Sequence, residues 1–371
     1  MKKILYSILI LHLFFSASAQ ESTVFKSGDE GYVCFRIPAT IASKSGQILA
    51  FAEGRVKNCG DFGNVDIVTK SSSDGGKTWS ALKVVADNGN LQAGNPAPVF
   101  DYLDERYPNG RLFLFYNTGN NSEGEIVKGN GVREVWYITS LDFGQTWSEP
   151  TNITVQVHKP NEPSFDPTYN FKEDWRHYAN TPGHAIQLKN GNLFIPMNFS
   201  LSDPKEGKIP YFAGAFYSED HGENYRLSAP LSLKGSNEST AVQLANGDVL
   251  MNARDQTEQT GKRYFARSKD NGITWYEQGI DKQLTDPVCE GSLNKIGKRS
   301  ILLSHLDSEK GRKNLVLRVS KDGGKIWNQK ISIYTGSAAY SDIVVLSKKK
   351  VGVLYEKDEY SKIAFKVVNV N

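Results

Sequence analysis

Ser72-Ser73-Asp74-Gly75-Gly76-Lys77-Thr78-Trp79 returns as Ser140-Leu141-Asp142-Phe143-Gly144-Gln145-Thr146-Trp147 and as Ser268-Lys269-Asp270-Asn271-Gly272-Ile273-Thr274-Trp275. Two worn copies complete the series: Ser320 to Trp327 has Ile326 in the Thr place, and Ser218 to Tyr225 ends in Asn224 and Tyr225. Self-similarity of this kind marks a repeat architecture. In each unit the Ser and Asp side chains are suited to bond nearby backbone N–H groups, and Gly supplies a dihedral that other residues resist. The unit therefore reads as a turn with a closing aromatic that packs inward. The three clear copies lack clustered charge and any His or Cys ligand, so a metal site in each is the weaker reading.

A second repeat runs in step with the first. Its clearest copies are Ala185 to Ile195 around Asn190-Gly191 and Ala241 to Met251 around Asn246-Gly247, and apolar runs flanking Asn-Gly signal a β-hairpin. Looser copies lie around Ser45-Gly46, Asn109-Gly110, Ile296-Gly297 and Lys348 to Lys350, which makes six hairpins, five of them followed by the turn unit. This spacing predicts an all-β chain: a six-bladed β-propeller of four-stranded antiparallel sheets, forming one domain over residues 20–371. After the last hairpin only Ile363 to Val370 remains, so closure is expected to borrow a strand from the opposite terminus.

Residues 1–19 carry Lys2 and Lys3, an apolar run from Ile4 to Phe15, and Ser16-Ala17-Ser18-Ala19, the pattern of a secretory signal cleaved after Ala19. The run is too short to span a bilayer, so the chain is expected to be exported to the periplasm or exterior, with no membrane span. Removing the signal lowers the formal charge from +3 by the two lysines, which leaves no global reason to expect nucleic acid as a partner. A monomer is expected. Three cysteines, Cys34, Cys59 and Cys289, are too few for a disulfide scaffold. At most one bridge forms within the chain; Cys34 with Cys59 is one pairing open to it, and a buried free thiol is the commoner state.

Tyr32-Val33-Cys34-Phe35-Arg36-Ile37-Pro38 precedes the first hairpin, and period-two alternation puts Cys34 and Arg36 on one face with Phe35 and Ile37 on the other. Arg254 ends the fourth hairpin and Arg312 precedes the strand Leu315-Val316-Leu317. Three arginines on one rim suit a carboxylate.

Phe35-Arg36-Ile37-Pro38 together with the Ser-x-Asp-x-Gly-x-Thr-Trp units resembles the sialidase (neuraminidase) family of exo-glycosidases, over roughly Gly31 to Glu356. The resemblance extends to Phe51-Ala52-Glu53-Gly54-Arg55, Gly94 to Val99, Asn237-Glu238-Ser239-Thr240, Tyr340-Ser341-Asp342 and Leu354-Tyr355-Glu356. It implies that Arg36, Arg254 and Arg312 grip a substrate carboxylate, with Glu356 holding the first of them. It implies Tyr340 as nucleophile, Glu238 as its base, Asp61 as general acid, and Arg55 beside the sugar's C4 substituent. The loop Asn58 to Asp66 offers a second acid, Asp66; Asp61 is preferred for its Gly-flanked position. The histidines, His184 among them, read as structural or rim residues without metal spacing. No metal and no cofactor is expected.

The residue types suit the substrate the resemblance implies. Sialic acid carries a carboxylate on its anomeric carbon; guanidinium forks grip it, and a neutral phenol approaches where an anionic Asp or Glu would be repelled. The implied activity is retaining hydrolysis of terminal sialic acids from glycans through a tyrosyl-sialosyl intermediate. A trans-sialidase and a non-catalytic glycan-binding propeller are the alternatives, and the joint presence of Asp61, Glu238 and Tyr340 argues against the second.

Overall fold

A computed structural model describes residues 20–201 and 211–370; the expected signal segment lies outside them. The fold is all-β with antiparallel sheets, and the two described helices, Glu123–Val127 and Thr154–Val157, are single turns. All six hairpins are present: Cys34–Ala42 with Ile48–Arg55, Gln92–Asp101 with Arg111–Gly119, Ile186–Gln187 with Leu193–Leu201, Ser236–Gln243 with Val249–Asp255, Ser292–Ile296 with Ser300–Leu306, and Gln329–Ser347 with Lys350–Lys357. Each continues into a third strand, and five of these strands end on the Ser of a turn unit: Ser72, Ser140, Ser218, Ser268 and Ser320.

The meanders are not six separate sheets. Hydrogen bonding merges them into four sheets among the described residues. Two local features cause this. The 19-residue strand Gln329–Ser347 leaves the fifth meander, where it pairs with Lys313–Ser320, and enters the sixth, where it pairs with Lys350–Lys357. A parallel bridge between Val65 and Gln92 joins the first meander to the second. In the third hairpin the first strand is broken. Ile186–Gln187 covers only the loop end, and Trp175–Asn180 pairs with the far end of Leu193–Leu201.

Apolar clusters lie between consecutive meanders. Phe51 and Leu114 share one, Phe115 and Phe216 the next, Phe194 and Met251 a third, Leu250 and Leu303 a fourth, and Leu317 and Val353 a fifth. A sixth cluster joins the last meander to the first through Phe365 and Phe35. The N-terminal strand Glu21–Lys26 pairs antiparallel with Lys362–Asn369, so the two ends of the chain meet in one sheet, as expected.

The turn units act as clasps. In the first, Ser72 Oγ accepts from the Gly76 N–H at 2.9 Å, and Asp74 accepts from the Thr78 N–H at 3.0 Å and hydroxyl at 2.7 Å. The same pattern returns at Asp142 and Asp270. The closing aromatic reaches the preceding meander. Trp275 Nε1 donates to the Ala229 carbonyl at 2.8 Å, Trp327 Nε1 to Asp281 at 2.9 Å, and Trp79 packs edge-on against Phe365. Register places these units at the hairpin-tip end, since Ser72 faces Ile48 while Arg55, at the other end of the same strand, faces Val65. The clasps therefore sit opposite the rim that carries the candidate site residues.

The bridge Cys34–Cys59 is formed and Cys289 is free and buried. The pairing corrects the expectation of free thiols: the strand Cys34–Ala42 runs beside the loop after Ile48–Arg55, where Cys34 faces Arg55, and so brings the two thiols together.

Gly272 has φ +87°, and a Cβ there would lie 2.2 Å from the Phe194 ring, whereas Gly75, at φ +75°, faces open space. Gly272→Ala is expected to lower the free energy of unfolding in urea by about 2–4 kcal/mol, and Gly75→Ala by about 1 kcal/mol. Equal losses would show that backbone conformation alone, without the Phe194 clasp, sets the requirement.

Candidate active site

Arg36, Arg55, Asp61, Glu238, Arg254, Arg312, Tyr340 and Glu356 come from distant parts of the chain and meet at one rim. Arg36 lies where the register of Cys34–Ala42 slips between Arg36 and Ala39, and Ile37 there has φ +58°. The slip corrects simple alternation. Phe35 packs with Phe25 and Phe365, but Ile37 leaves that face, joins another cluster and lines the cleft.

Glu356 is the anchor of this corner. It is 1% exposed and accepts from Arg36 Nε at 2.7 Å and Nη2 at 3.3 Å, from the Ile37 N–H at 2.8 Å and from the Tyr340 N–H at 3.1 Å. One carboxylate thus fixes an arginine and the backbone of the phenol opposite it.

Tyr340 is the convergence point. Its hydroxyl donates to Glu238 Oε1 at 2.8 Å and accepts from Arg254 Nη1 at 2.7 Å, while the same Arg254 nitrogen lies 2.7 Å from Glu238 Oε2. The guanidinium carbons of Arg36 and Arg312 lie 5.5 and 5.4 Å from its ring centre. The register around the Asn246-Gly247 loop therefore turns Glu238 and Arg254 to the same side, helped by a shift between Ser236 and Ser239. Arg312 bonds the Val288 carbonyl and the Tyr360 hydroxyl, and it has no carboxylate partner among the described residues. Its charge remains available to an anion.

Asp61 sits on the loop between Ile48–Arg55 and Val65–Ser72, with its side chain 80% exposed. Arg55 Nη1 holds it at 2.9 Å and Arg36 Nη1 lies at 3.8 Å. Arg55 is itself clamped by Glu53 through Nε and Nη2. Asp66 is occupied elsewhere, accepting from the Tyr32 hydroxyl at 2.7 Å, and does not line the cleft.

The ionisation of these groups follows their surroundings. Burial raises the Glu238 carboxyl above its ordinary range despite the pull of Arg254. Burial, reinforced by the charge of Glu238, raises the Tyr340 phenol, with Arg254 and Arg312 opposing. For Asp61 partial desolvation pushes upward, but Arg55 and Arg36 together outweigh it and hold the carboxyl low. In the free protein the phenol is protonated and Asp61 is ionised.

Asn95 and Asn237, which lie within the motifs of the resemblance, line the same cavity, and so do Gln92, Glu123, Arg133 and His177, which carried no clear sequence signal. Burial pushes His177 down to about 4, so it is neutral near pH 7. Tyr360 stacks over Arg36, its ring centre 4.0 Å from the guanidinium carbon; a lone aromatic on the connection between Lys350–Lys357 and Lys362–Asn369 gives no pattern to read. His184 is structural, with Nδ1 2.7 Å from the buried Asp342. Asp101, Asp104 and His221 form the cluster suited to a cation, but none lines the cleft, and Asp104 already takes Arg106 and Arg111.

Comparison with known proteins gives a consistent result. Residues 46–353 match the family described as BNR repeat-like domain. The chain is 28% identical over 354 residues to a sialidase of Bacteroides fragilis, covering 89% of this chain and 61% of that protein. It is 29% identical over 367 residues to a sialidase of Micromonospora viridifaciens, covering 91% and 52%. The chain thus spans less than two thirds of the length of these relatives. Among solved structures the Hadza microbial sialidase Hz136 superposes with a TM-score of 0.76 at 25% identity, over 92% of this chain and 67% of that one.

Removing the anchor would leave a buried guanidinium without its counter-charge. Glu356→Ala is expected to lower stability in urea at neutral pH by about 3–5 kcal/mol. A loss below about 1 kcal/mol would mean that water or another group replaces it.

Proposed function

We propose that this chain, which belongs to the BNR repeat-like domain family and is of the sialidase type, is a retaining exo-α-sialidase that releases terminal sialic acid from glycans. The observation that carries this reading is the setting of Tyr340: its hydroxyl lies between Glu238 at 2.8 Å and Arg254 at 2.7 Å, and Arg36 and Arg312 flank its ring. Such a phenol is neutral until a neighbouring base takes its proton, which suits attack on an anomeric carbon that bears a carboxylate.

In the proposed reaction Arg36, Arg254 and Arg312 bind the sugar carboxylate. Glu238 accepts the phenolic proton as Tyr340 Oη bonds to the anomeric carbon, and the glycosidic bond breaks. Asp61 gives its proton to the departing oxygen. Water, deprotonated by Asp61, then attacks the anomeric carbon, and the Tyr340 oxygen leaves and recovers a proton from Glu238. Asp61 must be protonated for the first step. Binding of the carboxylate to Arg36 weakens the pull of that guanidinium on Asp61 and raises its pKa in the complex. Arg55 would face the C4 substituent.

The six meanders and the six clusters between them support a closed six-bladed propeller as the architecture; one domain over residues 20–371, acting as a monomer, is proposed with it. Export to the periplasm or exterior is proposed from the first 19 residues, and a disulfide suits an oxidising compartment.

Incubation of the purified protein with a fluorogenic sialoside at mildly acidic pH tests the reading directly, and absence of release at any such pH would overturn it. Tyr340→Phe is expected to lower kcat/KM by at least about two orders of magnitude while a sialic-acid glycal still binds within a few-fold. Equal losses in turnover and binding would point to damaged structure instead. On an oligosaccharide the unsubstituted protein is expected to give a bell-shaped kcat/KM profile, because Glu238 must be ionised and Asp61 protonated. With Asp61→Asn and an aryl sialoside the profile is expected to rise through the Glu238 ionisation and then stay level. A persisting decline at high pH would assign that limb to another group.

A further inference from the structure

The segment that carries Asp61 has almost no hydrophobic anchor. Between Ile48–Arg55 and Val65–Ser72, residues 57–61 are all exposed. What closes the loop is the Val56 N–H to the Asn64 carbonyl at 3.1 Å, Arg55 Nη1 to the Cys59 carbonyl, and Gly60 N–H to Asn58 Oδ1 at 2.7 Å. The Asp61 side chain itself is held by Arg55 and Arg36, at 2.9 and 3.8 Å. These last contacts depend on charge. A general acid must be protonated when it acts, and a neutral carboxyl is held far more weakly by either guanidinium.

One further restraint is covalent and so independent of the ionisation of Asp61. Cys59, two residues before Asp61, is bonded to Cys34, which is fully buried on the strand Cys34–Ala42 two residues before Arg36. The bridge ties the acid's loop to the strand that carries a carboxylate-binding arginine. We propose that the Cys34–Cys59 disulfide is a positioning element for the general acid, holding Asp61 in place in its protonated, catalytically competent state. The inference rests on the sialidase reading above and adds to it a role for two residues outside the reacting set.

The role predicts a selective defect. Loosening the loop impairs proton delivery to the leaving oxygen and leaves the carboxylate grip and Tyr340 untouched. A sugar alcohol leaves poorly without that proton, whereas a nitrophenolate leaves readily. The Cys34→Ala/Cys59→Ala double variant is expected to lose about tenfold or more in kcat/KM on a sialyl-oligosaccharide and less than about threefold on 4-nitrophenyl sialoside. Equal losses on both substrates, or no loss on either, overturn the proposal. In an Asp61→Asn background, removing the bridge is expected to change the ratio of the two substrates no further, and a further change would show that it acts on another group.

If the double variant fails to fold, reduction of the folded protein supplies the same test. A dithiol gives two electrons and two protons to the Cys34–Cys59 bond and becomes a cyclic disulfide, leaving two protein thiols; the exposed Cys59 admits it. The same substrate-selective loss is expected once thiol titration shows the bond open, with recovery on reoxidation; an unchanged ratio in the reduced protein overturns the proposal. No turnover of either substrate by the unmodified protein would sink the sialidase reading itself, whereas turnover with an unchanged ratio sinks only this inference.

Discussion

The buried carboxylate of Glu356 is the contact on which the geometry of the cleft depends. It joins Arg36, from the first hairpin, to the Tyr340 backbone, from the last, across 320 residues of sequence in the case of the arginine. Burying an acid and a guanidinium together is seldom a net gain in stability over well-packed apolar residues. Its value here is geometric. All four of its described hydrogen bonds go to groups that set the position of Arg36, Ile37 or Tyr340, so displacement of one is felt by the others.

The electrostatics around Tyr340 are balanced in a way that a solvent-exposed phenol could not reproduce. Burial and Glu238 favour the neutral phenol, while Arg254 and Arg312 favour the phenolate. The hydroxyl is therefore protonated at rest yet surrounded by groups that lower the cost of charge developing on its oxygen. Under the proposed reaction the opposite displacements of Glu238 and Asp61 have a consequence of their own. In the free protein the base tends to keep its proton and the acid tends to lose it, and a bound carboxylate opposes the second tendency by occupying Arg36.

This arrangement needs a stiff frame, and the turn units supply it from the far end of the strands. Each of the Trp79, Trp275 and Trp327 side chains leaves its own meander and bonds or packs against the one before it. Pairing of Glu21–Lys26 with Lys362–Asn369 closes the series, so the first and last meanders meet where Glu356 meets Arg36.

The sequence by itself determined the strand content, the six hairpins, the five turn units and the borrowing of an N-terminal strand, because Asn-Gly turns, alternating apolar runs and the Ser and Asp backbone bonds are local effects. The eight candidate site residues, which the structure gathers at one rim, were picked out through the motifs of the resemblance near the open ends of those hairpins. Tertiary structure alone decided the rest. It merged six meanders into four sheets through one long strand and one parallel bridge, moved Ile37 off the face of Phe35 by a register slip, and paired Cys34 with Cys59. It also set Tyr360 over Arg36, brought Arg133 and His177 to the cleft and lowered the pKa of Asp61. These features depend on which distant groups face one another across a gap of a few ångströms, and no local pattern in a chain encodes that distance.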